Sequence, residues 1–339
     1  MKLDTGLAAA PLSECGPSAK AAEELGFDAV WTSETSHDPF LPLVLAAQHT
    51  SRVQLGTSIA VAFPRSPMVL AQIAWDLQAH SGGRFILGLG TQVKAHNERR
   101  FGVKWEKPGP RLREMIQMIH AIWDSWQNGT RPQFQGSFYN YSLMTPFFNP
   151  GPLEHPRPKI FIAGVNEYMC RLAGELCDGF HVHPLHSIKY LDEVIRPNLR
   201  KGLEKAGRTP SQVSMSSSVF VITGKDADAI EKAKRRVKQQ IAFYASTPAY
   251  AHVLEVHGWP EIGRRLTERS KRGDWAGMAD DVSDEMVDAF AIVAKEDDVV
   301  DRVKRKYSGY LDRVAFYFPA ALGDEGRRRA IVRAFNGPA

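Results

Sequence analysis

Short apolar runs alternate with helical patterns along most of this chain, and this alternation constrains the fold more than any other feature. Such runs, separated by amphipathic helices, are typical of parallel β/α units. The predicted strands lie at residues 2–8, 27–33, 53–62, 84–90, 159–163, 179–183, 213–223 and 313–318. Eight strands with intervening helices predict an α/β fold, a TIM (β/α)8 barrel, as a single domain over residues 1–339.

The segments between the strands carry helix signals at their ends. Gly26 is a helix-ending residue, and Ser66 with Pro67 forms a cap and first-turn pair. The predicted helices lie at residues 12–25, 41–50, 66–81, 111–127, 168–176 and 296–307. Residues 129–158 and 226–288 are too long for simple crossovers, so we predict insertions there. The first is rich in aromatic residues and predicts a lid over the site.

Composition and charge exclude several classes of protein. The 339 residues are 43% hydrophobic and 24% charged, which is typical of a globular chain. The net charge of +5 is dispersed among acidic residues, which argues against nucleic acid as a partner. Three cysteines without a CxxC spacing indicate a reducing compartment. With no leader and no apolar run long enough for a membrane, we expect a cytoplasmic protein with a small-molecule substrate.

The predicted fourth strand, residues 84–90, ends in glycines and opens into a polar, basic segment, residues 94–100. Glycines at a strand's carboxyl end let the backbone approach a ligand closely, and α/β proteins place their sites there. A cofactor is therefore expected beside this strand. The candidate contacts here are Gly90, Thr91, Gln92 and His96.

Five short motifs follow one another from the second predicted strand to the sixth. They are Trp31–Glu34, Leu55–Ala62, Ser81–Thr91, Ile162–Val165 and Cys177–Phe180. Together they resemble the bacterial-luciferase-like superfamily, and most closely its branch of coenzyme F420-dependent oxidoreductases. The resemblance implies a deazaflavin or flavin across the carboxyl-end mouth of a TIM barrel, and a homodimer.

The resemblance also implies which residues bind the cofactor. Ser58 and Ile59 occupy the place of a bulge with a non-prolyl cis peptide that backs the ring, followed by Val61. Gly164 and Val165 follow an apolar strand and precede a helix, whose free amide groups could take the phosphate. His183 is the histidine of the run 181–186 that we expect to face the ring or its side chain.

Two residues after the second strand are candidates for proton transfer. Glu34 falls on the acidic position of related F420 enzymes, and His37 lies two residues beyond Thr35, where a sugar-phosphate dehydrogenase of the family has histidine. Histidine with a pKa near 6.5 can exchange a proton with a substrate hydroxyl. Val93 stands where that dehydrogenase has glutamate, so the sequence disfavours the same substrate.

Other functions stay open at this point. An FMN-dependent monooxygenase of the same superfamily would use reduced flavin and oxygen. His181 and His183 alternate along a strand and could bind a metal in a hydrolase, but matching ligands are not found in order, and no metal is predicted. A non-catalytic deazaflavin-binding protein is a further alternative.

Overall fold

Eight parallel strands form a closed barrel in the computed structural model, which describes residues 1–337. In chain order they are β1 (Lys2–Gly6), β2 (Ala29–Thr32), β3 (Gln54–Thr57), β4 (Phe85–Gly90), β5 (Lys159–Gly164), β6 (Gly179–Val182), β7 (Ser214–Ile222) and β8 (Arg313–Phe316). Each strand pairs with the next, and β8 pairs with β1. The predicted TIM barrel is confirmed.

Helices surround the strands. The α-helices are α1 (Leu12–Leu25), α2 (Leu41–His49), α3 (Pro67–His80), α4 (Lys94–Arg99), α5 (Pro108–Asn128), α6 (Glu167–Leu176), α7 (Ile188–Tyr190), α8 (Arg196–Lys205), α9 (Ala227–Ala245), α10 (Ala251–Glu255), α11 (Pro260–Lys271), α12 (Asp284–Phe290), α13 (Val299–Tyr307) and α14 (Glu325–Asn336). A π-helical turn, Leu191–Ile195, joins α7 to α8. Short 3-10 turns lie at Pro146–Phe148, Pro210–Gln212, Pro248–Tyr250, Gly277–Asp281, Glu296–Asp298 and Pro319–Leu322.

Several predicted boundaries were wrong. The strand predicted at 53–62 is broken: β3 ends at Thr57, and a two-residue strand, Ala60–Val61, resumes after Ser58 and Ile59. The first strand ends at Gly6 instead of residue 8. Helix α5 begins three residues earlier than predicted because a proline suits the first turn of a helix. Helix α14, capped by the Asp324 side chain, was missed.

Both long segments carry structure of their own. Residues 129–158 contain a small hairpin, Phe134–Gln135 with Asn140–Tyr141, and leave Phe147 and Phe148 exposed. Residues 226–288 contain α9, α10, α11 and most of α12, as the predicted helical insertion requires.

A polar network fills part of the barrel interior. The Asp4 carboxylate accepts hydrogen bonds from Arg313 Nε (2.7 Å), Arg313 Nη2 (2.9 Å) and Trp31 Nε1 (2.8 Å). Arg313 Nη1 also donates to Gln54 Oε1 at 2.6 Å. The Asp4 and Arg313 side chains are only 2% and 5% exposed. Every second residue of β1 faces inward, so Gly6 lies on the same side as Asp4, at the upper end of the barrel.

Among residues 1–337, none of the helices combines the length and apolar character that crossing a membrane requires. Cys15, Cys170 and Cys177 are free and buried.

Candidate active site at the barrel mouth

The carboxyl ends of the eight strands form one end of the barrel, here called the mouth. In a closed barrel of eight strands, β2 stands opposite β6. The loop after β2, with Glu34 and His37, therefore faces the residues after β6, with His183, across the mouth. Active sites of TIM barrels lie at this end.

Glu34 is the most constrained side chain of the β2 loop. Its Oε2 accepts hydrogen bonds from the Val61 amide (2.7 Å) and Arg65 Nη1 (2.8 Å), and its Oε1 accepts one from Arg65 Nη2 (3.1 Å). Arg65 Nη2 also donates to Asp38 Oδ2 at 2.9 Å. The Glu34 side chain is 6% exposed. Burial alone would lower the pKa of Arg65, but the hydrogen bonds and charges of Glu34 and Asp38 together outweigh it and raise that pKa overall.

His37 lies on the exposed part of the same loop. Arg100, which follows α4, donates a hydrogen bond to the Thr35 carbonyl and so ties the β4 loop to the β2 loop. Next to His37, Asp38 Oδ1 accepts from the Phe40 amide at 2.8 Å and caps the start of α2. The backbone around His37 is thus anchored on both sides, while its imidazole remains accessible.

The break after β3 brings Ser58 and Ile59 to the mouth. Their peptide bond is cis, as the resemblance implied. The Ser58 amide donates to the Thr32 carbonyl (2.7 Å), and Ser33 Oγ donates to the Ser58 carbonyl (2.9 Å). Both residues remain half-buried at the rim. Val61, also predicted to bind the cofactor, is buried, and its amide is taken by Glu34.

The end of β4 is shaped by close contacts. A Cβ on Gly90 would lie 2.7 Å from Ile59 Cδ1, so the Ile59 side chain packs directly against Gly90. Thr91 and Gln92 are half-buried, and Gln92 has a left-handed φ of 57°. Asn97 Nδ2 donates to the carbonyls of Thr91 (2.9 Å) and Val93 (3.1 Å). Asn97 was not among the predicted site residues, although these bonds hold the loop in place. His96 lies on α4 and is exposed.

Gly164 and Val165 end β5 and lead into α6, as predicted. A Cβ on Gly164 would lie 2.4 Å from Met169 Cβ. The Val165 carbonyl accepts a hydrogen bond from the Tyr190 hydroxyl at 2.5 Å. The Asn166 side chain accepts from the Met169 amide and caps α6. The helix thus begins at the mouth, and because Asn166 occupies the Met169 amide, the amides of Glu167 and Tyr168 are the first-turn donors left for an anion.

His181 in β6 and His183 just after it have different surroundings. His181 is buried in the barrel, with Nδ1 hydrogen-bonded to Ser216 Oγ at 2.7 Å, and burial lowers its pKa to about 3. His183 lies at the mouth, and its Nδ1 accepts from the Leu185 amide at 3.1 Å. Burial lowers the pKa of His183 to about 3, so the ring is neutral and carries its proton on Nε2. Within residues 1–337 no cluster of His, Cys, Asp or Glu has the arrangement of a metal site.

Three tyrosines beside His183 were missed by sequence reasoning. The His183 ring centroid lies 4.5 Å from that of Tyr244 and 4.2 Å from that of Tyr250. Tyr317, just beyond β8, has its hydroxyl 2.6 Å from the Tyr244 hydroxyl. Only Tyr317 carried a local signal, because it directly follows a buried strand. Tyr244 and Tyr250 come from the insertion, and only folding brings them to the mouth.

Two clefts lie away from the mouth. One of about 420 Å³ lies between α3 and residues 147–150, and one of about 540 Å³ lies at the amino-terminal end of β5, β6 and β7. Neither contains a residue of the loops after β2, β3 or β4 that form the mouth. We place the candidate site at the mouth because charged, aromatic and glycine residues converge there.

Comparison with known proteins agrees with this architecture. A family model described as luciferase-like monooxygenase matches residues 2–313. The chain belongs to this family. An uncharacterized protein of Mycobacterium tuberculosis is 47% identical over 321 residues, covering 95% of this chain and 94% of that protein. The 5,10-methylenetetrahydromethanopterin reductase of Archaeoglobus fulgidus is 31% identical over 292 residues, covering 84% and 83%.

A solved structure shares the fold of this luciferase-like family member. The coenzyme F420-dependent tetrahydromethanopterin reductase from Methanopyrus kandleri superimposes with a TM-score of 0.76 at 22% identity. The match covers 98% of this chain and 97% of that one.

The end of β1 leaves open space at the mouth of this luciferase-like protein. Gly6 faces inward at the end of β1 and is exposed, and within 4 Å of a Cβ built there the structure places no other heavy atom. We call this open space the floor. Ser58 and Ile59 follow β3, and Gly90 and Gly164 end β4 and β5, at the same end of the barrel. An open floor beside glycines and a helix start fits a deazaflavin or flavin with a phosphate.

Proposed function

We propose that the protein is a coenzyme F420-dependent oxidoreductase that transfers a hydride between the deazaflavin and a small organic substrate. The observation that carries this proposal is the open floor above Gly6, bordered on opposite sides by the Glu34–His37 loop and by His183. Family membership and the F420 dependence of the Methanopyrus kandleri enzyme of the same fold support it.

Each predicted residue has a proposed task at this floor. Ser58 and Ile59 would support the ring from the β3 side, with Val61 behind them. Gly90, Thr91, Gln92 and His96 would contact the cofactor from the β4 side, and Gly164 and Val165 would present amides to its phosphate. When bound, F420 would supply or accept the hydride. His37 would hold or release the substrate's proton, and Glu34 would fix the loop that carries His37.

A binding titration tests the cofactor. We would follow fluorescence quenching of F420 and of FMN by the purified protein, and compare Gly6→Leu with Ser211→Leu at the opposite end of the barrel. A Cβ at Gly6 meets no heavy atom within 4 Å, so a leucine would extend into the floor, and F420 binding should weaken by at least about tenfold. Ser211→Leu should bind as the natural chain does.

Each other outcome has a clear meaning. Preference for FMN would replace the proposal with the FMN-dependent monooxygenase, the function that the family description favours. Unchanged F420 binding by Gly6→Leu would move the cofactor away from the floor. Binding of neither cofactor would contradict the proposed function as a whole.

We also propose a homodimer and a cytoplasmic location. Leu41, Val44 and Val69, on the neighbouring helices α2 and α3, are 55%, 44% and 43% exposed, and a second copy could cover these apolar side chains. Three free cysteines are consistent with a reducing compartment. Sedimentation of the natural chain and of Val69→Glu tests the dimer: a monomer in the natural chain would contradict it.

A further inference from the structure

The rim of the mouth above β6 and β8 is lined by rings from distant parts of the chain. We call His183, Tyr244, Tyr250, Tyr317 and Phe318 the aromatic wall. Ring centroids lie 6.1 Å apart for Tyr244 and Tyr250, 6.0 Å for Tyr244 and Tyr317, and 4.9 Å for Tyr317 and Phe318. All five residues are half-buried. The wall is therefore continuous and keeps part of its surface open.

The polar atoms of the wall are hydrogen-bond donors. Burial raises the pKa of Tyr317, Tyr250 and Tyr244, so all three phenols stay protonated at neutral pH. Because the Tyr244 and Tyr317 hydroxyls are 2.6 Å apart, one donates to the other, and the second proton is left for another acceptor. The Nε2 hydrogen of His183 has no partner among residues 1–337.

Charge on this rim is modest. The Arg236 guanidinium lies 4.0 Å from the Phe318 ring centroid and is exposed, so solvent and salt screen it. The ring of His183 is neutral. The wall thus offers ring faces and edges together with neutral donors, an environment suited to an uncharged, planar molecule that carries an acceptor oxygen.

We propose that the aromatic wall binds the substrate, and that the substrate is a neutral carbonyl compound conjugated to a flat ring, with its oxygen hydrogen-bonded by the Tyr244–Tyr317 pair. This inference rests on the proposed function, because it places the substrate at the same mouth, where Tyr317 after β8 and the Glu34–His37 loop after β2 are separated only by β1. The wall sets specificity and orientation, and the hydride and proton steps stay with the cofactor and His37.

Ligand binding without turnover tests the wall. Acetophenone and cyclohexyl methyl ketone differ mainly in the flatness of the ring. Saturation-transfer NMR, with competition between the two ketones, would give the affinity of each. Both affinities would be measured without cofactor and with oxidised F420 present. We expect acetophenone to bind about fivefold more tightly or better, since aromatic pairs contribute about 0.5–1.5 kcal/mol beyond buried area.

Two variants isolate the phenol pair. Tyr317→Phe and Tyr244→Phe keep both rings and remove one hydroxyl each, so the acetophenone affinity should fall about three- to tenfold. Tyr310→Phe is the matched control, because Tyr310 also donates to one partner, Asp192, but lies before β8 at the other end of the barrel. Tyr310→Phe should leave the acetophenone affinity unchanged.

Equal affinity for the two ketones, or no effect of either phenylalanine variant, would overturn the proposal. Failure of F420 to bind is a separate result: a ring preference that depends on Tyr317 would then support the wall while contradicting the proposed cofactor.

Discussion

Glu34 and Arg65 join the loops after β2 and β3 through two parallel hydrogen bonds of 2.8 and 3.1 Å. The same carboxylate accepts the Val61 amide, so one side chain secures the resumed strand Ala60–Val61 and the loop that carries His37. Glu34 was predicted from the resemblance as an acidic residue near the reacting carbon. Its contacts make it an anchor of the site, whatever part it takes in proton transfer.

Replacing Arg65 should destabilise the contact between the loops after β2 and β3. Arg65→Met leaves a carboxylate that is 6% exposed without its counter-charge, and we expect a loss of about 2 kcal/mol in the free energy of unfolding. A cycle of Arg65→Met, Glu34→Gln and the double variant, measured by urea denaturation, should give a coupling of similar size. Costs that simply add would show that the pair contributes nothing.

Replacing His37 should impair turnover and leave cofactor binding intact. With reduced F420 and acetophenone or benzaldehyde as acceptor, His37→Ala should lower kcat about 100-fold, the usual scale of general acid–base catalysis. The Kd for F420 should stay within about twofold, because His37 is exposed and its loop is anchored by Glu34 and Asp38. His49→Ala, an exposed histidine on α2, is the control. An unchanged kcat in His37→Ala would remove its proposed role.

The buried pair Asp4–Arg313 should respond more strongly to single than to double substitution. Arg313→Met leaves the Asp4 carboxylate without its partner inside the barrel and should cost about 3–5 kcal/mol. Asp4→Asn combined with Arg313→Met keeps an acceptor for Trp31 and should be more stable than Arg313→Met alone. Chemical denaturation would measure the stability of both variants. A double variant less stable than Arg313→Met would contradict this account.

Stability should fall on mild acidification because of buried histidines. Burial lowers the pKa of His181 to about 3 and of His186 to about 4, against about 6.5 in an unfolded chain. Below about pH 6.5 the unfolded chain binds protons that the folded chain does not. Each histidine therefore lowers the free energy of unfolding by up to about 1.4 kcal/mol per pH unit, until the pH reaches its pKa in the folded protein.

The slope of stability against pH tests this histidine effect. Urea midpoints would be measured between about pH 7 and pH 5, where the two protonation states differ. His186→Asn should show a shallower slope than the natural chain, irrespective of its absolute stability. An identical slope would show that His186 takes up protons in the folded protein as it does in the unfolded chain.

Gly88 on β4 and Gly6 on β1 should tolerate alanine differently. A Cβ on Gly88 would lie 1.7 Å from the Thr57 carbonyl oxygen, whereas on Gly6 it meets no heavy atom within 4 Å. Gly88→Ala should therefore lose about 3 kcal/mol or more, because backbone must move, while Gly6→Ala should stay within about 0.5 kcal/mol. Thermal denaturation of the pair checks this, and a stable Gly88→Ala would mean that β3 and β4 separate easily.

The sequence by itself determined the barrel and predicted a site at its mouth. Alternating apolar runs bury strands in a parallel sheet, and motifs such as 81–91 and 162–165 end those strands in glycines, so the fold and the mouth follow from local pattern and resemblance. The break at Ser58–Ile59 was also implied, although the strand through it was predicted as continuous.

Only the tertiary structure decided which distant side chains meet at the mouth. Tyr244 and Tyr317 are 73 residues apart in the chain, and Glu34 and Arg65 are 31 apart, yet each pair is in direct hydrogen-bond contact. Periodicity reports which face of an element is buried, but it carries no information on which distant side chains meet. Their contacts depend on barrel closure and on the packing of insertions, which are set by the whole chain at once.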